Sequence, residues 1–184
     1  MGKNYDRIDD SLAGFIRAQQ MFFVATAPLS AEGSINVSPK GLDTFRILDE
    51  HTVAYLDLTG SGIETVAHLR ENGRIVVMFC AFEGRPMILR LHGRGVVHQE
   101  GTDGFARLRD SFPPLEGARA IVEIAVERIA DSCGWSVPRY AFHEDRDQLL
   151  RYYQQKGEDA VRAGRVEWNR QSIDGLPGLG EPDA

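Results

Sequence analysis

Between residues 55 and 75 the chain reads YLDLTGSGIETVAHLRENGRI, and this stretch holds the densest set of groups able to do chemistry. Three hydroxyls, Thr59, Ser61 and Thr65, are interleaved with Gly60 and Gly62 between a strand-like run and a helix-like one. The first turn of a helix leaves backbone N–H groups without intrahelical acceptors and carries partial positive charge. Hydroxyls and close-approaching glycines beside such a turn make an anion site, with phosphate as the natural occupant. The same residue types also build plain strand-to-helix turns, so the loop by itself leaves that reading open. A nucleotide P-loop is excluded, because no Gly-Lys-Ser/Thr run is present. Gly60-x-Gly62-x-x-Thr65, with Glu83 downstream, approaches the dinucleotide fingerprint. Thr65, however, stands where a Gly or Ala should let helix and strand approach, and the match is weak.

A second polar group lies in INVSPK, residues 35–40. Strand alternation puts Ile35, Val37 and Pro39 on one face and Asn36, Ser38 and Lys40 on the other. Lys40 reads either as a solvated lysine or as a cation for a ligand on that face. In MILRLHGRGVVHQ the residues Arg90, His92 and Arg94 oppose Leu89 and Leu91, and one of these cations can pair with Glu123 or Glu127. His92, His98 and Cys80 lack the short ligand spacing of a metal site, so no metal is expected. Cys133 reads either as a reactive thiol or, the commoner state, as a small buried hydrophobe. Trp135 either stacks at the edge of a ligand or closes the core. His68 is expected to be exposed.

The elements that must position these groups follow from periodicity. At 100° per residue Ile63, Val66, Ala67 and Leu69 share one arc, while Thr65, His68, Glu71 and Asn72 lie opposite. That is an amphipathic helix of about two and a half turns. Helical patterns also open the chain (DDSLAGFIRAQQ), recur in TDGFARLRDSF, and run through DQLLRYYQQKGEDAVRAGRVEWN, weakened by Gly157 and Gly164. MFFVATA, INVSPK, TVAYLDL, IVVMFCAF, MILRLHGRGVVHQ and RAIVEIAVERIADS read as strands. IVVMFCAF shows no alternation, which implies burial on both faces. Short links between successive strands favour an antiparallel sheet. About six such strands must close up to hide their edges, which points to a small barrel with peripheral helices. The barrel domain is expected over residues 1–140, with a helical extension and tail over 141–184.

Composition limits the function classes. The chain has 184 residues, 42% hydrophobic and 26% charged, the balance of a globular domain with a real core. Its net charge of −6 argues against nucleic acid or anionic lipid as a partner. No apolar run is long enough to span a bilayer, and the first residues lack the apolar core of a signal peptide. Two cysteines without CxxC spacing fit a reduced, cytoplasmic protein with no disulfide.

FFVATAP, INVSPKG, VAYLDLTGSGIETVAHLRENGRIVVMFCAFEG and ILRLHGRG, in this order, resemble the pyridoxamine 5'-phosphate oxidase-like flavoproteins of split β-barrel fold. The likeness covers roughly residues 10–130 and is closest to a branch known only as oxidase-related, which SIDGLPGL in the tail also resembles. The resemblance implies a mainly β split barrel that binds FMN, with Thr59, Ser61, Gly62 and Thr65 at the phosphate. It places Ser38 and Lys40 at the flavin ring and Arg90 near the same site; of the two readings of Trp135, the cofactor edge is the one expected. It further implies a homodimer with the flavin at the interface and an FMN-dependent oxidoreductase acting on a small molecule. The alternative is a non-catalytic protein that holds a flavin, a deazaflavin or haem. Two departures bear on substrate. The oxidases carry a basic cluster in the phosphate loop where this chain has Ile63-Glu64-Thr65. Their C-terminal Arg and His segment has no counterpart here, so pyridoxamine phosphate is not the expected substrate.

Overall fold

A computed structural model describes residues 2–180 of the chain, and the end of the tail, 181–184, lies outside the described residues. Eight strands form one antiparallel sheet: β1 (Asn4–Tyr5), β2 (Phe22–Thr26), β3 (Asn36–Lys40), β4 (Phe45–Ile47), β5 (Thr52–Leu58), β6 (Arg74–Cys80), β7 (Ile88–Gln99) and β8 (Ala118–Ser132). Five helices accompany them: α1 (Asp10–Arg17), α2 (Glu64–Asn72), α3 (Asp103–Arg109), α4 (Gln148–Lys156) and α5 (Glu158–Trp168). Side by side the strands run β3-β2-β6-β7-β8-β5-β4, with β1 paired to β8. The expected six strands are thus joined by β1 and β4, which at two and three residues are too short to show a period.

The sheet curls until its two ends meet through side chains rather than backbone. Phe22 of β2 lies 5.0 Å from Phe45 of β4 and 5.7 Å from Tyr55 of β5, ring centre to ring centre. Val24, Val53, Val77, Leu89, Leu91, Val122 and Ile124 fill the interior. Each such side chain, fully buried, contributes about 1.5–3 kcal/mol of transfer free energy. α1 closes one end, with Leu12, Ala13 and Ile16 in the core and Asp9 accepting from the Leu12 amide at 2.9 Å. A second apolar layer forms where α3 and its following loop cover the outer face of β5 and β8, joining Leu108 and Phe112 to Ala54, Leu56 and Ile121. The split barrel is therefore the fold of this chain.

Irregularities in the ladders shape the barrel. β7 and β8 slip register at His92/Gly93, and a Cβ on Gly93 would stand 2.1 Å from the Ala125 carbonyl oxygen. β5 and β8 slip at Asp57/Leu58, where the loop of interest begins. β6 is sealed on one face and only half-buried on the other, so its missing alternation reflects an apolar outer surface rather than two buried faces. Gly157, at φ +77°, breaks the C-terminal helical run in two; Gly164 stays within α5, against the Trp168 ring.

Candidate functional site

β5 points Tyr55 and Asp57 into the barrel, because alternate residues of a strand share a face. Asp57 is 1% exposed and accepts from Lys40 Nζ at 2.6 Å and from Arg119 Nε at 2.7 Å. These two bonds tie the unpaired edge of β3 to β5 and β8 across the split. Burial by itself would raise the Asp57 carboxyl, but Lys40 and Arg119 outweigh it and hold the group at about 2. The Tyr55 hydroxyl, in the same wall, is buried without a hydrogen-bond partner among the described residues, and burial raises it well above the usual phenol range. Lys40 Nζ stands 5.8 Å from the Tyr55 ring centre.

The polar row of β3 follows the expected alternation. Asn36, Ser38 and Lys40 turn inward and are half-buried, whereas Ile35 and Val37 are 77% and 60% exposed. Asn36 Nδ2 donates to Thr65 Oγ1 at 2.9 Å, and the Ser38 hydroxyl donates to Asn36 Oδ1 at 3.2 Å. β3 is in this way fastened to the first turn of α2.

The loop from Thr59 to Ile63 leads from β5 into α2. The amides of Gly60, Ser61, Gly62 and Ile63 donate to no acceptor among the described residues, and Ser61 and Gly62 are exposed. Thr59 is a different case. Its hydroxyl donates to the Gly117 carbonyl at 2.8 Å and accepts from Arg165 Nε at 2.6 Å, so it has no proton left to offer an anion. The Glu64 carboxylate folds back over Gly62 and accepts from the Ile173 amide at 3.3 Å. α2 itself is buried over much of its length, because β2, β3 and the chain between them take the face that periodicity assigned to solvent: Thr65 meets Asn36, His68 meets Thr26, the Glu71 carboxylate accepts from the Leu29 amide and Asn72 donates to the Ala27 carbonyl. His68 is therefore 0% exposed, not exposed as expected, with Nδ1 at 2.9 Å from the Thr26 hydroxyl and Nε2 unpartnered. Burial lowers its pKa.

Two of the sequence-derived site residues lie elsewhere. In register, Lys40 opposes Phe22, while Pro39, Phe23, Met78 and Arg90 line up one residue away. A one-residue offset is the opposite face, so Arg90 sits on the outside of the barrel, donating to Ser132 Oγ at 3.0 Å. Trp135, 83% exposed beyond the end of β8, lies outside the core. Within one chain hydrogen bonds join Ser38 through Asn36 to Thr65, and Lys40 through Asp57 and Arg119 to the Gly60 carbonyl beside Ser61 and Gly62, with Thr59 as a brace and Arg90 and Trp135 outside. Cys133 is also exposed, not buried, and Cys80 is buried; neither forms a disulfide.

Sequence reasoning passed over Asp57, Arg119, Tyr153, Arg165 and Asn169. Asp57 left a trace: a single carboxylate in TVAYLDL, in phase with the core residue Tyr55. Arg119 left one too, as a cation opening an apolar strand. Arg165 and Asn169 left none, since both occupy ordinary polar positions of a surface helix and its end. Behind Thr59, a pocket of about 390 Å³ opens between the α3–β8 connection and α4–α5, with Phe105, Leu115, Val161, Tyr153 and Arg165 in its wall. Among the described residues no group of three or more His, Cys, Asp or Glu side chains is placed to hold a metal ion. No described helix is long and apolar enough to cross a membrane.

Known proteins resemble this chain in fold or in sequence. The crystal structures of HupZ from Group A Streptococcus are 27% identical; one superposes with a TM-score of 0.54 over 68% of this chain and 99% of HupZ. The other gives 0.52 over 66% and 91%. The Aspergillus flavus protein ustO, described as a pyridoxamine 5'-phosphate oxidase family protein, is 37% identical over 194 aligned residues, covering 95% of this chain and 77% of ustO. The family profile for pyridoxamine 5'-phosphate oxidase matches residues 8–133, a span that begins just before α1 and ends just after β8. The match takes in the whole curled sheet apart from β1, together with the β5–α2 loop, and on that ground the chain belongs to the pyridoxamine 5'-phosphate oxidase family.

Proposed function

We propose that the protein binds FMN between β3 and the β5–α2 loop, as a homodimer, and acts as an oxidoreductase on a small molecule. The observation that carries this reading is the run of four amides without a partner among the described residues, Gly60 to Ile63, ahead of α2, whose Thr65 is bonded to Asn36 of the β3 polar row. Successive free N–H groups at a helix start suit a phosphate. The Ser61 hydroxyl adds a donor beside them, and the buried, unpartnered Tyr55 hydroxyl marks polar capacity in the same wall. A flavin ring along β3 would meet Ser38 and Lys40, and a cation there favours the anionic reduced ring. When bound, the flavin supplies the two-electron chemistry. This chain's residues bind it, orient it and keep water from it.

The arrangement also speaks to the alternatives. The histidine of α2, His68, is sealed at 0% exposure, which favours flavin over haem. Asp57 and Lys40 are locked in a buried ion pair, so neither stands ready as an acid or base. That favours a role in which the cofactor does the difficult step, and it fits equally a protein that holds the cofactor without turnover. Titrating FMN and riboflavin into apoprotein tests the anchor. FMN is expected to bind more tightly by about 2–4 kcal/mol, the worth of charge-assisted bonds to its phosphate. Equal affinities remove the loop from the site. Bleaching of the bound flavin by a reduced nicotinamide marks the enzyme, and a spectrum indifferent to donors marks the binder. A deazaflavin shares the phosphate and separates by its spectrum.

A further inference from the structure

The phosphate loop is held from behind by the C-terminal segment. Tyr153 on α4 donates its hydroxyl to the Thr59 carbonyl. Asn169, 0% exposed at the end of α5, donates from Nδ2 to the Gly60 carbonyl at 2.9 Å. Arg119 reaches the same carbonyl at 3.4 Å and donates to Asn169 Oδ1 at 2.8 Å, which fixes the amide of Asn169. Arg165 Nε holds the Thr59 hydroxyl at 2.6 Å, and its other end pairs with Glu100. The tail then closes over α2: the Leu179 amide donates to the Asn169 carbonyl at 2.8 Å, and Arg70 donates to the Gly178 carbonyl. A Cβ on Gly178 would lie 2.2 Å from the Asn169 carbonyl oxygen, so only glycine fits beneath that turn.

These contacts have a directional consequence. In a planar trans peptide the C=O of one residue and the N–H of the next point in opposite directions. Donors from the C-terminal segment draw the carbonyls of Thr59 and Gly60 backward. The N–H groups of Gly60 and Ser61 must then point forward, away from that segment. A free Thr-Gly-Ser-Gly loop would sample many orientations, because glycine is the least restricted residue. We propose that the segment from Tyr153 to Gly178 is a brace that presents the loop amides to the FMN phosphate, with Tyr153 and Asn169 as its positioning residues. The proposal rests on the FMN reading above and extends it. The loop carries no cation of its own, and orientation imposed from a distant part of the chain takes the place of local charge.

The test uses the full chain with Tyr153→Phe and Asn169→Ala. Tyr153→Phe removes one oxygen and leaves the ring against Gly117, so the fold is retained; a melting curve verifies this for both variants. Each variant is expected to weaken FMN about tenfold and to leave riboflavin within about twofold. Hydrogen exchange at the Thr59 amide of the apoprotein, which donates to Gly117, is expected to quicken. FMN and riboflavin weakened equally, or neither weakened, overturns the brace. A wild-type protein that does not distinguish FMN from riboflavin removes the FMN reading instead. Hydrogen exchange then decides the brace alone, and unchanged exchange in Tyr153→Phe overturns it.

Discussion

The carboxylate of Asp57 receives Lys40 from β3 and Arg119 from β8 while 1% exposed, so three elements meet at one side chain. Its folded pKa of about 2 lies below the unfolded value of roughly 3.9. As pH falls, the unfolded chain takes up the proton first, and the stability that Asp57 contributes is lost between about pH 4 and pH 2. That contribution is on the order of 2 kcal/mol, present in full above the window. Urea unfolding at pH 6 and at pH 2.5, roughly two units above and one and a half below the unfolded value, is expected to show the loss. Asp57→Asn should flatten the dependence and cost about 3 kcal/mol at neutral pH, because Lys40 and Arg119 remain without their anion. A variant as stable as the parent, with the same acid profile, contradicts this role.

The ladder between β7 and β8 is the longest in the sheet and carries the curl. At its register slip, Gly93 faces the Ala125 carbonyl so closely that a methyl group would stand 2.1 Å from the oxygen. Gly93→Ala must therefore push the strands apart. A cost of about 3 kcal/mol is expected, read from the urea midpoint. Gly60→Ala, where a Cβ meets nothing within 4 Å, is the matched control and should leave stability nearly unchanged.

The outer face of the barrel is unusual for a molecule on its own. Val37 is 60% and Ile35 77% exposed on the edge strand, and Pro39, Phe23 and Met78 continue the same face toward Arg90. An apolar surface of this kind suits a protein partner. A second copy is the partner proposed above. Val37→Lys is expected to yield a monomer of unchanged fold with weakened flavin binding. Flavin should in turn strengthen the dimer in proportion to its saturation. Sedimentation of apo and FMN-loaded protein across a dilution series measures both, and a monomer that keeps FMN at full affinity contradicts the link.

Much of the barrel was legible because strand period, helix period and turn residues are local properties. The β3 alternation, the extent of α2 and the place of the 59–65 loop all came from neighbours within a few residues. β1 and β4 were not legible, being shorter than any period. The site was legible only in part. Thr59, Ser61, Gly62 and Thr65 lie within seven residues and announced a loop leading into a helix, and Ser38 and Lys40 announced a face. Which face Arg90 takes relative to Lys40 depends on register across four strands, β3, β2, β6 and β7, which no local pattern records. Burial of His68 depends on β2, whose Thr26 lies 42 residues away in sequence. The sequence by itself determined the elements and the residues that end them. Tertiary structure alone decided that Asp57, Arg119, Tyr153, Arg165 and Asn169 converge on one loop, because hydrogen bonds and ion pairs between distant segments depend on where the folded backbone brings them, and chain separation carries no information about that.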